Sequence, residues 1–194
     1  IKYGEDAVSN LSLEFFGEAG ASIQAEQDMQ PSAFDDKNQG FYLGQGAVLS
    51  IFETHPTKQP LAKFLGAYSA SEDNTNPLGQ RDDGAGYSKA MEGALWVAKT
   101  PADSVYMVKT HGTGTPVNNA AEKTALTRTL PEFVATSYKP RIGHTMGASG
   151  LLETTLMLRD IENGKIPAIQ NRTASDSVFV SEDTPVQGGT FISL

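Results

Sequence analysis

The sequence predicts an α/β fold in which β-strands and α-helices alternate and pack in layers. Short apolar runs have the length and residue types of buried strands, and the segments between them carry apolar residues at helical spacing. Turn-forming clusters of Gly, Pro, Asn and Asp separate these segments. A chain of 194 residues is long enough to bury the core that a layered fold requires.

The first half of the chain contains two predicted strands. Residues 41–53 (FYLGQGAVLSIFE) are rich in apolar and aromatic side chains and predict a strand that two glycines interrupt. A connection with two prolines follows at 55–60, where a helix cannot continue, and residues 61–70 predict the next strand. Residues 73–86 are dense in Asp, Asn, Gly and Pro and predict a polar loop.

The second half of the chain alternates strands and helices more regularly. Asn118 or Asn119 is the predicted N-cap of its middle helix. On its last helix, Leu152, Leu156 and Ile161 fall on one stripe, which predicts the buried face. The predicted elements are a helix at 87–99, a strand at 104–110, a helix at 119–130, a strand at 133–138 and a helix at 150–162.

Composition and charge exclude several functional classes. The formal net charge is −8, and the whole acidic excess lies in residues 1–97, whereas a nucleic-acid-binding protein needs clustered Lys and Arg. No apolar run approaches the roughly 18–20 residues of a membrane helix. The chain has no cysteine, which excludes disulfides, thiolate metal sites and cysteine nucleophiles within it.

Two of the three histidines lie on glycine-rich turns. His111 opens the segment 111–116 (HGTGTP) directly after a predicted strand, and His144 lies in 143–150 (GHTMGASG) directly before a predicted helix. Ligands of layered α/β folds bind outside the strand ends. A histidine there can donate a hydrogen bond to an oxyanion or act as an acid or base. The third histidine, His55, precedes a proline in a polar turn and is predicted to be surface.

Lys139 and Glu122 lie close in sequence to these histidines. Lys139 comes five residues before His144, and Glu122 comes eleven residues after His111. A lysine near both histidines would disfavour their protonation, and a glutamate would hold the lysine in place. Each residue taken alone also fits a structural role, as a turn residue or a solvated surface group.

Taken together, these motifs resemble the carboxyl-terminal half of the β-ketoacyl synthases, the condensing enzymes of fatty-acid and polyketide synthesis. Four motifs occur in the family's order over about residues 34–171. They are Phe34-Asp35 followed by Gly40-Phe41-x-Leu43-Gly44-x-Gly46-Ala47, then His111-Gly-Thr-Gly-Thr-Pro116 with Glu122, then Lys139-x-x-x-Gly143-His144-Thr145-x-Gly147-Ala148-x-Gly150, then Ile166-Pro167-x-x-x-Asn171.

The resemblance implies a thiolase-like fold with αβαβα layers, of which this chain holds only part. Residues 1–60 would end the amino-terminal half, and residues 61–194 would form the carboxyl-terminal half without its last loop. The implied reaction is a decarboxylative Claisen condensation of an acyl thioester with a malonyl thioester. The family's nucleophilic cysteine is absent from this chain and, by the family's layout, should lie just upstream of Ile1. The chain alone is therefore expected to be inactive.

The resemblance also implies roles, partners and a location. Its partners would be an acyl carrier protein, whose phosphopantetheine carries the substrate, and the missing ketosynthase half or a second subunit. It implies a homo- or heterodimer in the cytoplasm, with no cofactor or metal of its own. The residues carried over are the catalytic histidines His111 and His144, the motif lysine Lys139 with its partner acid Glu122, and the threonines Thr113 and Thr115, which would face the phosphopantetheine arm.

Three departures from the family pattern keep an alternative function open. Gln45 replaces an acidic residue, residues 38–39 (NQ) replace Arg-Asp, and residues 117–119 (VNN) replace Leu-Gly-Asp. These changes favour a non-condensing partner subunit, similar to a chain-length factor, whereas the retained histidines favour a condensing enzyme.

Nucleotide binding and zinc binding receive weaker support from the sequence. The glycines of 143–150 open a helix but do not match the Gly-x-Gly-x-x-Gly spacing of dinucleotide sites. His111 and His144 lack a third ligand at a spacing that zinc requires.

Overall fold

The computed structural model describes residues 2–24, 28–35, 40–71, 81–174, 178–186 and 188–194. Within these ranges the strands are β1 (Lys2–Glu5), β2 (Gly46–Leu49), β3 (Val105–Lys109), β4 (Val134–Thr136), β5 (Lys165–Ile166), β6 (Thr184–Pro185) and β7 (Thr190–Ser193). The helices are α1 (Asn10–Glu18), α2 (Ala85–Ala98), α3 (Pro116–Thr129), α4 (Lys139–Ile142) and α5 (Ser149–Glu162), with 3₁₀ turns at Ala102–Ser104 and Met146–Ala148.

A three-stranded parallel sheet lies at the centre of the fold. Its order is β4-β3-β7, so β3 is hydrogen-bonded on both sides. Strand β3 is almost wholly buried, which explains its continuous run of apolar residues. Helix α3 connects β3 to β4 and permits the parallel pairing. This arrangement confirms the predicted α/β class, and two antiparallel pairs, β1-β2 and β5-β6, lie outside the sheet.

The hydrophobic core joins this sheet to the helices that cover it. Phe34, from the segment before β2, stacks on Phe179 with ring centroids 4.0 Å apart. Side chains from both halves of the chain therefore contact each other in one core, and the predicted division at residue 60 stays a prediction. The buried side chains of this core include Met91, Leu95, Met107, Val108, Leu126, Leu130, Phe133, Met157, Ile166, Ile169 and Phe179.

Helix α3 begins earlier than the sequence predicts. Pro116 occupies its first turn and Thr115 is its N-cap residue, so the prediction of Asn118 or Asn119 as N-cap is wrong. Proline is favoured at this position because its missing N–H would have no intrahelical partner there. Asn118 is instead buried inside the helix, where its side-chain amide oxygen accepts a 2.7 Å hydrogen bond from the Tyr87 hydroxyl.

The predicted strands of the first half are largely wrong. Residues 41–53 form a strand only at β2, which pairs with β1, and make two isolated bridges at Phe41 and Leu43. Residues 61–70 form no strand, because no strand among the described residues pairs with them. Apolar residues predict burial in a sheet, but the strand requires a partner for its backbone groups. Residues 36–39 and 72–80, which include NQ and most of the predicted polar loop, lie outside the described residues.

The most deeply buried residues of helix α5 are not those of the predicted stripe, although Leu156 and Ile161 of that stripe pack against the core. The buried residues of the helix are Ser149, Glu153 and Met157, whereas Leu152, Leu156 and Ile161 are only partly buried. The charged Glu153 lies inward because buried lysines bind it. Among the described residues, no helix is long and apolar enough to cross a membrane.

Candidate active site

The two glycine-rich turns meet at one edge of the parallel sheet. Strand β3 ends at Lys109 and leads into the turn of His111, while β4 ends two residues before α4, which is followed by His144. Because β3 and β4 are parallel neighbours, both turns lie beyond their carboxyl ends. The imidazole rings of His111 and His144 lie edge to face, with centroids 5.4 Å apart and planes at 82°. His55, in contrast, is exposed, as predicted for a surface turn.

Glu122 holds the backbone of the His111 turn. Its fully buried carboxylate accepts hydrogen bonds from the backbone N–H of His111 at 2.5 Å and of Gly112 at 2.8 Å. The Asn118 side-chain amide donates a third hydrogen bond, at 3.3 Å. Burial raises the pKa of Glu122, and these backbone donors act in the opposite direction.

The carboxylate that binds Lys139 is Glu153, and the expectation that Glu122 would hold this lysine is wrong. The Lys139 ammonium lies 2.7 Å from Glu153 Oε1 and donates a 2.6 Å hydrogen bond to the backbone carbonyl of His111. Glu122 and Lys139 thus bind the two backbone groups of His111. Glu122 accepts a hydrogen bond from its N–H, and Lys139 donates one to its carbonyl oxygen. Sequence reasoning missed Glu153, although a lone carboxylate in the apolar run 150–158 is a signal of a buried partner.

The His144 turn is fixed by a segment from the first half of the chain. The N–H of His144 donates to the Tyr42 carbonyl at 2.7 Å, and the Gly44 N–H donates to the His144 carbonyl at 3.0 Å. The Phe41 ring packs edge to face on the imidazole at 4.9 Å. These contacts give the motif around residues 40–44 a structural role in placing His144.

The protonated ring nitrogen of His144 follows from its neighbours. The backbone N–H of Met146 donates to Nδ1 at 3.1 Å, and the Ser149 hydroxyl lies 3.0 Å from the same nitrogen. A backbone N–H can only donate, so Nδ1 must be the acceptor of the neutral ring. The proton of the neutral imidazole therefore lies on Nε2, which has no hydrogen-bond partner among the described residues.

Two glycines allow the histidine turns to pack closely against the first half of the chain. A Cβ on Gly44 would lie 2.6 Å from the Ile142 carbonyl oxygen, and one on Gly114 would lie 2.4 Å from the Ser32 carbonyl oxygen. Gly114 also has a φ of +81°, which disfavours residues with a side chain. Gly44 and Gly114 are thus required by the packing of the two turns against the first half of the chain.

The electrostatics of the site favour neutral imidazoles. Burial, followed by the charge of Lys139, lowers the pKa of His111 well below its ordinary value. The same two causes lower the pKa of His144 to about 4. Burial also lowers the pKa of Lys139 to about 8, although Glu153 opposes the shift. Both histidines are therefore uncharged at neutral pH, and each neutral ring keeps one N–H that can donate a hydrogen bond.

Thr113 and Thr115 lie in the same turn as His111. Their hydroxyl oxygens are 3.0 Å apart, with Thr113 buried and Thr115 partly buried. One hydroxyl can therefore donate its proton to a ligand while it accepts a hydrogen bond from the other hydroxyl. Among the described residues, no group of three or more His, Cys, Asp or Glu side chains is placed to hold a metal ion.

Comparison with known proteins links this geometry to one family. Residues 61–173 match the family model described as "Beta-ketoacyl synthase, C-terminal domain". The chain is 28% identical over 178 residues to 3-oxoacyl-[acyl-carrier-protein] synthase 2 of Vibrio cholerae, covering 86% of this chain and 43% of that protein. It is 30% identical over 155 residues to the tetracenomycin polyketide synthase ketoacyl synthase alpha subunit of Streptomyces glaucescens, covering 74% of this chain and 35% of that subunit.

Solved structures agree with these relatives. The ishigamide ketosynthase/chain length factor superposes with a TM-score of 0.80 at 25% identity, covering 95% of this chain and 47% of that chain. The fold is therefore the thiolase-like fold of ketosynthases, as predicted. The chain spans less than half the length of each of these relatives.

Proposed function

This chain belongs to the β-ketoacyl synthase family, and we propose that it carries the decarboxylation half of a condensing active site. In this proposal the intact protein joins an acyl thioester to a malonyl thioester in fatty-acid or polyketide synthesis. The acyl group is held on a cysteine outside this chain, which has none itself. The malonyl group arrives on the phosphopantetheine arm of an acyl carrier protein, and Thr113 and Thr115 face that arm.

In the proposed mechanism, His111 and His144 stabilise the enolate. Loss of carbon dioxide breaks a carbon–carbon bond and leaves its electron pair on the malonyl thioester, where the oxygen gains negative charge. Neutral donors placed around this oxygen lower the barrier because they are already oriented when the charge develops. His144 contributes its Nε2–H. The enolate carbon then attacks the acyl thioester and expels the cysteine thiolate, so electrons balance without an oxidant or reductant.

One observation carries the assignment: two partly buried, neutral imidazoles from neighbouring strand ends lie edge to face, with centroids 5.4 Å apart. Lys139 and Glu122 act as positioning residues, because they bind the carbonyl and the N–H of His111. Their contacts fix the backbone of His111, from which the ring projects.

Replacing either histidine tests this proposal in the parent protein, by which we mean the intact protein that contains this chain. We expect His111→Ala and His144→Ala each to slow decarboxylation of malonyl-acyl carrier protein by about 100-fold to 1,000-fold, the usual effect of removing one oxyanion donor. The measurement is carbon dioxide released per minute by purified protein.

His55→Ala is the matched control, since His55 is exposed and lies in a turn outside the site. Its rate should equal that of the unsubstituted protein. Equal rates in the His111 and His144 variants would contradict the proposed catalytic role.

A second candidate function is that of a non-condensing subunit in a ketosynthase heterodimer. The changes at Gln45 and at 117–119 favour it, as does the likeness to a ketosynthase/chain length factor. Such a subunit would complete the assembly and shape the pocket that sets chain length. It predicts that neither histidine substitution slows decarboxylation, so the same experiment separates the two functions.

Exposed apolar side chains support the proposal that the rest of a ketosynthase fold covers this chain. Ile51 and Trp96 are 78% and 80% exposed, and the exposed rings of Phe52 and Phe64 pack edge to face at 5.9 Å. Large exposed apolar areas mark interfaces or a risk of aggregation. We assign this surface to the other ketosynthase half, because the chain spans only 43% of its Vibrio relative.

Residues 1–194 expressed alone are therefore expected to self-associate or precipitate. Replacing Phe52 and Phe64 with serine should reduce this association, whereas serine at the exposed Lys123 and Lys165 should not. Sedimentation velocity measures the effect. A monomer with a sharp cooperative melt would contradict the proposed cover.

A further inference from the structure

Lys109 is a buried lysine that the proposed mechanism does not use. It is the last residue of β3, and its side chain is fully buried. Its ammonium lies 3.1 Å from Glu153 Oε2 and also donates to the backbone oxygen of Leu194. A buried ammonium is costly unless it is paired and hydrogen-bonded, so Lys109 depends on Glu153.

Glu153 is shared between two lysines. Its Oε1 binds the Lys139 ammonium at 2.7 Å, while its Oε2 binds Lys109. A continuous chain of contacts thus runs from Lys109 through Glu153 and Lys139 to the carbonyl of His111. The side chain of Glu153 cannot rotate toward one lysine without releasing the other. Glu153 thus pairs directly with both ammonium groups, while the carboxylate of Glu122 acts on them without a direct ion pair.

We propose that Lys109 is a positioning residue, which keeps Glu153 in place on Lys139 and whose charge keeps His111 and His144 in their neutral donor form. The inference rests on the proposed function, because it concerns the same two histidines. None of the sequence motifs includes Lys109, and its role depends on the folded arrangement alone.

The arrangement of charges around the histidines supports this role. The titratable groups that face the two imidazoles are Lys109 from β3, Glu122 from α3, Lys139 from α4 and Glu153 from α5. Burial lowers the pKa values of both histidines most, and the charge of Lys139 follows. Lys109 acts in the same direction with a smaller effect, which for His111 is also smaller than that of His144.

Removing Lys109 should raise the histidine pKa values for two reasons. It deletes a positive charge, and it leaves Glu153 less neutralised beside His144. Both changes favour the protonated imidazole, which has no lone pair left for the Met146 N–H.

The test compares Lys109→Met, Lys109→Gln and Lys109→Arg in the parent protein. The Met and Gln variants keep side-chain length without charge and leave Glu153 paired with Lys139, so they are expected to fold. We expect the NMR titration midpoints of the two imidazoles to rise in both variants. The acid limb of the pH profile of the decarboxylation rate should move to higher pH together with these midpoints. Lys109→Arg keeps the charge and should restore the original midpoints.

Lys165→Met is the matched control, because it removes the same charge from an exposed site, where Lys165 pairs with Asp183. Its midpoints should not move. Unchanged midpoints in the Met and Gln variants would overturn the inference, as would equal loss of activity at every pH. The titration does not require enzymatic activity, so it tests the role of Lys109 independently of the proposed condensing function. If the midpoints move but no histidine substitution slows decarboxylation, the proposed function fails and Lys109 keeps its electrostatic role.

Discussion

Glu153→Ala is expected to destabilise the parent protein by about 3–5 kcal/mol, the usual effect of breaking a buried ion pair from one side. The substitution leaves the ammonium groups of Lys109 and Lys139 buried without their shared carboxylate. It also removes the contact that holds Lys139 against the His111 carbonyl. We therefore expect a lower midpoint of urea denaturation and slower decarboxylation in the fraction that remains folded.

Glu162→Ala provides the control on the same helix. Glu162 pairs with Arg159 at 2.7 Å, but both side chains are more than half exposed, so its loss should cost about 0–0.5 kcal/mol. A double-mutant cycle with Lys109→Met adds a second check. Much of the loss in Glu153→Ala should disappear when Lys109 is already Met, because one uncompensated charge is then gone. A loss below about 1 kcal/mol for Glu153→Ala would show that the cluster does not stabilise the fold.

The proximity of His111 and His144 could be predicted from the sequence because it follows from topology. Each histidine lies on a glycine-rich turn next to a predicted strand, and turns after parallel neighbours meet at one sheet edge. The resemblance to ketosynthases added the expectation that both belong to one site. No knowledge of side-chain packing is required for either step.

The lysine–glutamate cluster could not be predicted because it depends on which face of α5 turns inward. Apolar spacing favoured the stripe of Leu152, Leu156 and Ile161, yet Glu153 is the fully buried residue. The two lysines that offset the free-energy cost of burying Glu153 come from β3 and α4, which are distant from it in sequence. A helix pattern read alone assigns charge to the surface, and only the tertiary partners reverse that assignment.

The segment 61–70 illustrates the opposite error. Its apolar residues are real, but Leu61 and Phe64 are exposed because no described strand pairs with this segment. The apolar residues of a segment indicate that it tends to be buried, but they do not show which surface buries it. Under the proposed function, that surface belongs to the rest of the ketosynthase fold. Overprediction of strand here and the exposed apolar surface therefore have the same explanation under the proposed ketosynthase cover.

Glu122→Ala is expected to be the second severe substitution, with a loss of about 3–6 kcal/mol. The estimate follows from two backbone hydrogen bonds to a charged acceptor, each worth about 1.5–3 kcal/mol. Without the carboxylate, the N–H groups of His111 and Gly112 and the amide of Asn118 remain buried and unpaired. The turn should loosen, which also displaces the His111 ring from His144 and slows decarboxylation.

Glu122→Gln separates the charge from the hydrogen bond. Its amide oxygen can still accept one backbone N–H, while its NH₂ group opposes the other, so we expect an intermediate loss of stability. Glu132→Ala, at an exposed position shortly after α3, should change the denaturation midpoint little. If Glu122→Ala unfolds at the same urea concentration as Glu132→Ala, the carboxylate does not hold the turn. The position of His111 would then depend on Lys139 and on the glycine packing alone.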